Sequence, residues 1–257
     1  MPALTPWEIA GVVGAGVVAG TVNTVVGSGS LLTFPTLLAF GYSPLVANVS
    51  NTLGLVPGAV SGALGYHREL AGQGSRIRRL GAFSIAGGLL GAGLLLMLPS
   101  SSFERVVPYL IVLACVLVVL QPRLSARIIR RAADRPDVPR PHALLDATVF
   151  LTAIYGGYFG AAQGVILIAL LGIFVDDHLQ RLNAAKNVLA ALVNGVAALL
   201  FVIFAHIAYL PAGLLAVGSA IGGQIGARVG RRLAPDLLRL LVVVVGIGVA
   251  IKLFVSP

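Results

Sequence analysis

"NTVVGSGSLLTFPTLLAF", residues 23–40, opens on Asn23 and Thr24, passes through Gly27-Ser28-Gly29-Ser30 and meets Pro35, all inside a long apolar stretch. Glycine and proline interrupt helices, and short hydroxyl side chains offer partners to the backbone groups an interruption frees. The rest of the chain decides the solvent. Of its 257 residues 58% are hydrophobic and only 11% charged, with a mean hydropathy of +0.98. A soluble domain carries about a quarter charged residues. The 32 glycines and 14 prolines also suit membrane helices. The stretch therefore reads as a broken helix within an all-α polytopic membrane protein.

Working outward, apolar runs long enough for helices fall at about 8–26, 28–41, 44–67, 80–98 and 104–121, then at about 143–161, 163–175, 182–206, 211–230 and 237–255. A bilayer core needs roughly 20 apolar residues per crossing. Segments 28–41 and 163–175 are too short to cross as straight helices. The polar residues 122–142 form a basic linker between a first repeat, 1–121, and a second, 143–257.

An offset of 135 residues lays "SIAGGLLGA" (Ser84 to Ala92) over "SAIGGQIGA" (Ser219 to Ala227), and also Gly29 over Gly164, Asn48 over Asn183 and Thr52 over Asn187. Charge then sets orientation. Arg68, Arg76, Arg78 and Arg79 follow the third segment, whereas the corresponding 203–215 holds no Lys, Arg, Asp or Glu. The bias is reversed at 99–104 and its arginine-rich counterpart near 230–239. The two halves are thus expected as inverted repeats of about five helical segments, each with five crossings or three plus a re-entrant hairpin. All but Arg105 and Lys252 of the 18 basic residues fall on one side, the cytoplasmic side of a cell inner (plasma) membrane, which places both termini outside. The "LSARIIRRAA" of the linker reads as a topology-setting loop.

Inverted-repeat transporters bind substrate near the midplane, where short or broken helices point their N-termini at anions. The substrate-binding residues expected on this basis are Asn23, Thr24, Gly27, Ser28, Gly29 and Ser30 at the first break and Gln163 at the second. Asn48, Asn51 and Thr52 join them from the third segment, and Asn183, Lys186 and Asn187 from the eighth. Amides and hydroxyls would line the pocket with Lys186 as its one cation; the competing reading has Lys186 snorkelling to the surface and the amides bonding between helices. Ser84, Gly87, Gly88, Gly91 and their copies read as helix-packing residues.

No carboxylate lies mid-membrane: Asp146 is just inside the sixth segment and the other eight acids are in loops or at ends. A proton or sodium relay through buried acids is therefore not expected. His67 and His206 sit at span ends and read as structural, and the single Cys115 as a packing residue. No cofactor, catalytic group, metal cluster or nucleic acid is expected, and the N-terminus has no basic region preceding its apolar run to mark a leader.

Gly27-Ser28-Gly29-Ser30, Pro35 and "ANVSNTLG" (Ala47 to Gly54), in this order and spacing, resemble the sulfite exporter TauE/SafE family, and the resemblance covers essentially the whole chain. It implies outward movement of sulfite, sulfonates or related sulfur-containing anions. The turn differs from the family pattern in carrying two serines where glycine is usual, and Ala162-Gln163-Gly164-Val165 keeps little of it. The expected partners are a small anionic substrate and the lipid bilayer, with a homo-oligomer left open. The expected mechanism is alternating access driven by potential and substrate gradient, with an anion-selective channel as the alternative.

Overall fold

The computed structural model describes residues 5–134, 142–229 and 235–255, and among them every element is helical. The helices are α1 (Pro6–Val25), α2 (Ser30–Ala39), α3 (Pro44–Gly65), α4 (Gly74–Met97), α5 (Ser100–Asp134), α6 (His142–Tyr158), α7 (Gln163–Phe174), α8 (Leu179–Phe204), α9 (Tyr209–Val229) and α10 (Pro235–Val255). Six are long and apolar enough to cross a membrane: α1, α4, α5, α8, α9 and α10. The chain is a multi-pass membrane protein.

Local chemistry starts the first helix. Thr5 caps α1: its Oγ1 accepts the Glu8 N–H at 3.4 Å, Glu8 Oε2 accepts the Thr5 N–H at 2.7 Å, and Pro6 takes the first helical position. Gly27, at φ 92°, ends the first turn region in a left-handed conformation that a side chain would strain. The chain then doubles back. A Cβ on Gly29 would collide with the Ala19 carbonyl, and one on Gly11 would lie 3.6 Å from the Phe40 ring. The far end of α2 is therefore level with the start of α1, and the two form a hairpin.

The halves pack by exchange. Helix α1 lies against α9 and α6 against α4; α3 meets α9 as α8 meets α4; α3 packs on α8 and α5 on α10. The close approaches correspond in detail. Gly222 faces the Val17 carbonyl and Gly87 the Phe150 carbonyl, while Gly223 faces Gly58 and Gly88 faces Val193. Lipid tails supply no hydrophobic drive between helices, so such backbone-to-backbone packing is what holds them.

Two boundaries differ from the sequence reading. Helix α5 continues through Pro122 to Asp134, so the first part of the expected linker is helix; residues 135–141, with Arg135 and Arg140, lie outside the described residues, as do Arg231 and Arg232. Helix α4 begins at Gly74, six residues before the apolar run, because its first turns carry Arg76, Arg78 and Arg79. Arg76 Nη1 binds Asp177 Oδ2 at 3.0 Å, Arg181 Nε binds Asp177 Oδ1 at 2.8 Å, and Gln73 Nε2 donates to the Arg181 carbonyl at 3.0 Å. This clamp joins the α3–α4 loop to the α7–α8 loop. Partial burial raises the Asp177 pKa, but hydrogen bonds from Arg76, the His178 N–H and Arg181 outweigh it and hold the carboxyl below its usual range.

Two outcomes follow for unfolding followed in detergent. Gly222→Ala is expected to destabilise by about 1–3 kcal/mol through overpacking, while Gly213→Ala on the same helix, with open space at its Cβ, leaves stability unchanged. Asp177→Asn is expected to cost about 1 kcal/mol near neutral pH. Because its folded-state pKa is depressed, that advantage of the wild type is present above the unfolded carboxyl pKa and disappears as pH falls through the folded one.

Candidate functional site

An α-helix ends with four carbonyls that have no partner inside it, and in a membrane water is not there to serve them. Helix α1 ends at Val25 within the bundle, and the Val26 and Gly27 N–H groups both return to Val22 O, at 2.7 and 3.0 Å. The carbonyls of Asn23 and Thr24 are met from across the molecule. Lys186 Nζ donates to Asn23 O at 3.2 Å and to Thr24 O at 3.0 Å, while Asn183 Nδ2 and Asn187 Nδ2 approach Thr24 O at 3.3 and 3.4 Å. Asn183, Lys186 and Asn187 thus share one face of α8, and their partner there is backbone. Lys186 is 1% exposed, so the snorkelling alternative does not describe it. Its ammonium stands at the negative end of the α1 dipole, where a cation is favoured.

The second break is served in the same way by the other half. Asn48 Nδ2 of α3 donates to Tyr158 O, the last carbonyl of α6, at 3.0 Å. Asn51, which occupies the place of Lys186 at the 135-residue offset, accepts the Thr33 hydroxyl of α2 instead. The Thr52 hydroxyl turns to Asn48 O within its own helix at 3.0 Å, and Ser50 Oγ accepts the Ala208 N–H just ahead of α9 at 2.9 Å.

The two breaks touch. Gly164 N–H donates to Gly27 O at 3.1 Å, and a Cβ on Gly27 would lie 2.6 Å from the Gly164 backbone. Gly27, Ser28 and Gly29 are buried at this contact, with Ser30 opening α2 and Gln163 opening α7. Ser28 Oγ, Gln163 Nε2 and Asn48 Oδ1 are buried without a hydrogen-bond partner. Buried polar groups are normally paired, and an unpaired one costs about 1–3 kcal/mol. Lys186 likewise uses two of its three ammonium hydrogens on carbonyls.

The second turn is displaced from the register the sequence offered. Gly160 N–H returns to Tyr155 O as Gly27 N–H returns to Val22 O, and both glycines have positive φ, 75° and 92°. The turns thus correspond at 133 residues, which sets Gln163 against Ser30 rather than Ser28. Ala162 at φ 58° takes a left-handed conformation with no glycine to signal it. Sequence reasoning also missed Tyr158 and Thr33. Tyr158 acts through its carbonyl, which carries no residue signature, and Thr33 is one of two threonines in the apolar α2 with nothing in its neighbourhood to set it apart from Thr36. Asn23 and Thr24 were expected for their side chains and instead supply backbone oxygens to Lys186 and, at Thr24, to the two asparagines.

Removing the cap isolates its contribution. Lys186→Met is expected to lower stability by about 1–3 kcal/mol by stranding the α1 carbonyls, with Lys186→Gln losing less, and a cysteine placed at Ser28 should become more reactive to a small thiol reagent in the Met variant. Unchanged stability and reactivity would mean that the carbonyls need no cap.

Similarity to known proteins extends over most of the chain. A "Probable membrane transporter protein ORF9" from Sinorhizobium sp is 26% identical over 250 residues, spanning 95% of this chain and 91% of the relative. The "Probable membrane transporter protein YfcA" of Escherichia coli K12 is 25% identical over 235 residues, 91% of this chain and 85% of its own length. A "Probable membrane transporter protein" of Haemophilus influenzae is 26% identical over 181 residues, covering 67% of this chain and 68% of that protein. No solved structure matches the chain. The family model described as "Sulfite exporter TauE/SafE" matches residues 12–253, and the chain belongs to that family.

Proposed function

We propose that this protein is a non-enzymatic secondary transporter that exports a small sulfur-containing anion, of sulfite or sulfonate type, across the cell inner membrane. The observation that carries the reading is the meeting of two helix breaks at Gly27 and Gly164, flanked by the unpartnered donors Ser28 Oγ and Gln163 Nε2. A sulfur oxyanion offers several acceptor oxygens. The Ser28 hydroxyl, the Gln163 amide N–H groups and the remaining hydrogen of Lys186 are donors of matching sign.

The exchanged packing of α1 with α9 and α6 with α4 supports a symmetric pair of halves. With the opposite charge bias of their loops it is read as an inverted pair, the α1–α2 and α6–α7 hairpins re-entering from opposite sides and both termini outside. On this reading each half has three crossings, α3–α5 and α8–α10, and one re-entrant hairpin. Helix α1 is long enough to cross but ends at the Gly27 turn inside the bundle, and α3, with Asn48, Asn51 and Thr52 on it, is the crossing of lower hydropathy. Rocking one half against the other would expose the paired breaks to each side in turn. Potential supplies the direction: an inside-negative membrane drives an anion outward with roughly 2.3 kcal/mol per charge per 100 mV. Asp177 pairs with Arg76 and Asp146 with Arg79, and the export step is written without a buried proton relay.

Efflux from proteoliposomes loaded with sulfite or a short sulfonate tests this. Efflux should rise with inside-negative potential, persist with a protonophore once the potential is clamped, and show counterflow. Ser28→Ala and Gln163→Leu should each lower it about five- to tenfold, the loss of one hydrogen bond, with folding retained. Strict dependence on a pH gradient alone, or sulfur anions moving no faster than chloride, would overturn the proposal.

A further inference from the structure

A cavity of about 790 Å³ lies between α2, α5 and α10, and it contains none of the residues expected to bind substrate. Charge enters its walls from two of the three helices, while the α2 wall is apolar throughout. On α5 the order inward is Glu104 and Arg105, then Pro108; on α10 it is Lys252, then Val249; on α2 it is Ala39, then Leu38 and Pro35. The charges of α5 and α10 thus lie toward the ends of those helices, Lys252 beside Leu253 and Phe254, and the wall deeper along them, at Pro108 and Val249, is apolar. Tyr109 and Phe254 meet edge-on at 5.2 Å beside the charged end, a pairing typical of the level where a membrane meets water.

Arg105 and Lys252 are the two basic residues that lie apart from the main basic side, and neither forms an ion pair among the described residues. With Glu104 they give this end a net charge of +1. Sites of about 300–1,000 Å³ take ligands of drug size or larger, so a bare sulfur oxyanion would leave most of this volume, and all of its apolar wall, without contact. A ligand that satisfies both ends has one negative head and a long apolar tail, and the surrounding bilayer is made of such molecules.

We propose that this cavity is a binding site for an anionic phospholipid, with the phosphodiester between Arg105 and Lys252 and an acyl chain along the wall of Leu38, Pro35 and Val249. The site is independent of the transport reading. Glu104 weakens the attraction without reversing it: the three groups keep a net charge of +1, which a singly negative head neutralises and a zwitterionic ethanolamine head does not.

The test is native mass spectrometry of the full chain extracted from vesicles of equal phosphatidylglycerol and phosphatidylethanolamine. Wild type should retain phosphatidylglycerol preferentially. Each of Arg105→Gln and Lys252→Gln should reduce retention about fivefold, the effect of one basic residue at a membrane surface, while Arg228→Gln on α9 leaves it unchanged. Glu104→Gln should raise retention, and Ala39→Trp should lower it with both cations present by filling the tail space. Thermal unfolding of each variant checks that the fold is kept. Equal retention of both lipids, retention unaffected by the paired Arg105→Gln and Lys252→Gln changes, or octanesulfonate displacing the phospholipid through the same residues would overturn the assignment, the last by making the ligand a soluble amphiphile.

Discussion

Carbonyl oxygens that end a helix inside an apolar layer must be satisfied by protein, and the arrangement of this molecule follows from how two such ends are met. Helix α1 stops at Val25 and α6 at Tyr158, each well inside the bundle. The polar faces of α8 and α3 bring Lys186, Asn183 and Asn187 to the first end and Asn48 to the second. Each half thereby completes the other. The polar residues that look out of place in a membrane helix have these oxygens as their reason for being there.

Close approach of the helices makes this reach possible. An amide on α8 meets a carbonyl of α1 only if the intervening helices pack at backbone distance, and glycines on α4 and α9 permit that against α6 and α1. The same economy of side chains appears where Gly27 and Gly164 touch. Around this narrow centre the larger apolar residues, including Phe34, Phe103 and Phe159, fill the space between α2, α5 and the α6–α7 turn, with Phe34 and Phe159 edge-on at 5.4 Å.

Much of the fold was legible because apolar length is a local property. All ten helices fall where an apolar run stands, and the first break is announced by Gly27-Ser28-Gly29-Ser30. The second break was placed by the shortness of the run after 162, but its turn was not readable, since Ala161 and Ala162 are ordinary helix formers that are held in a turn by their neighbours. The linker misled in the opposite direction: the basic residues after Pro122 mark a change of solvent, and a helix continues through such a change. For Lys186 the sequence offered a position and a charge, and from these a ligand or a surface was the natural partner. Its partners are backbone atoms on a helix 162 and 163 residues away, and no pattern in the neighbouring sequence encodes such a pairing.

The exchange of caps between halves also bears on how the chain is made. Helix α1 is synthesised early, yet the lysine and asparagines that finish it lie beyond residue 182. At about 5–20 residues per second, the α1 end waits on the order of ten to thirty seconds for its partners to leave the ribosome. During that interval the first half resides in the membrane with its inner turn unfinished. A nascent chain arrested before α8 would therefore be the form most exposed to membrane proteases and quality control, and synthesis of α8 is the step that ends the vulnerability.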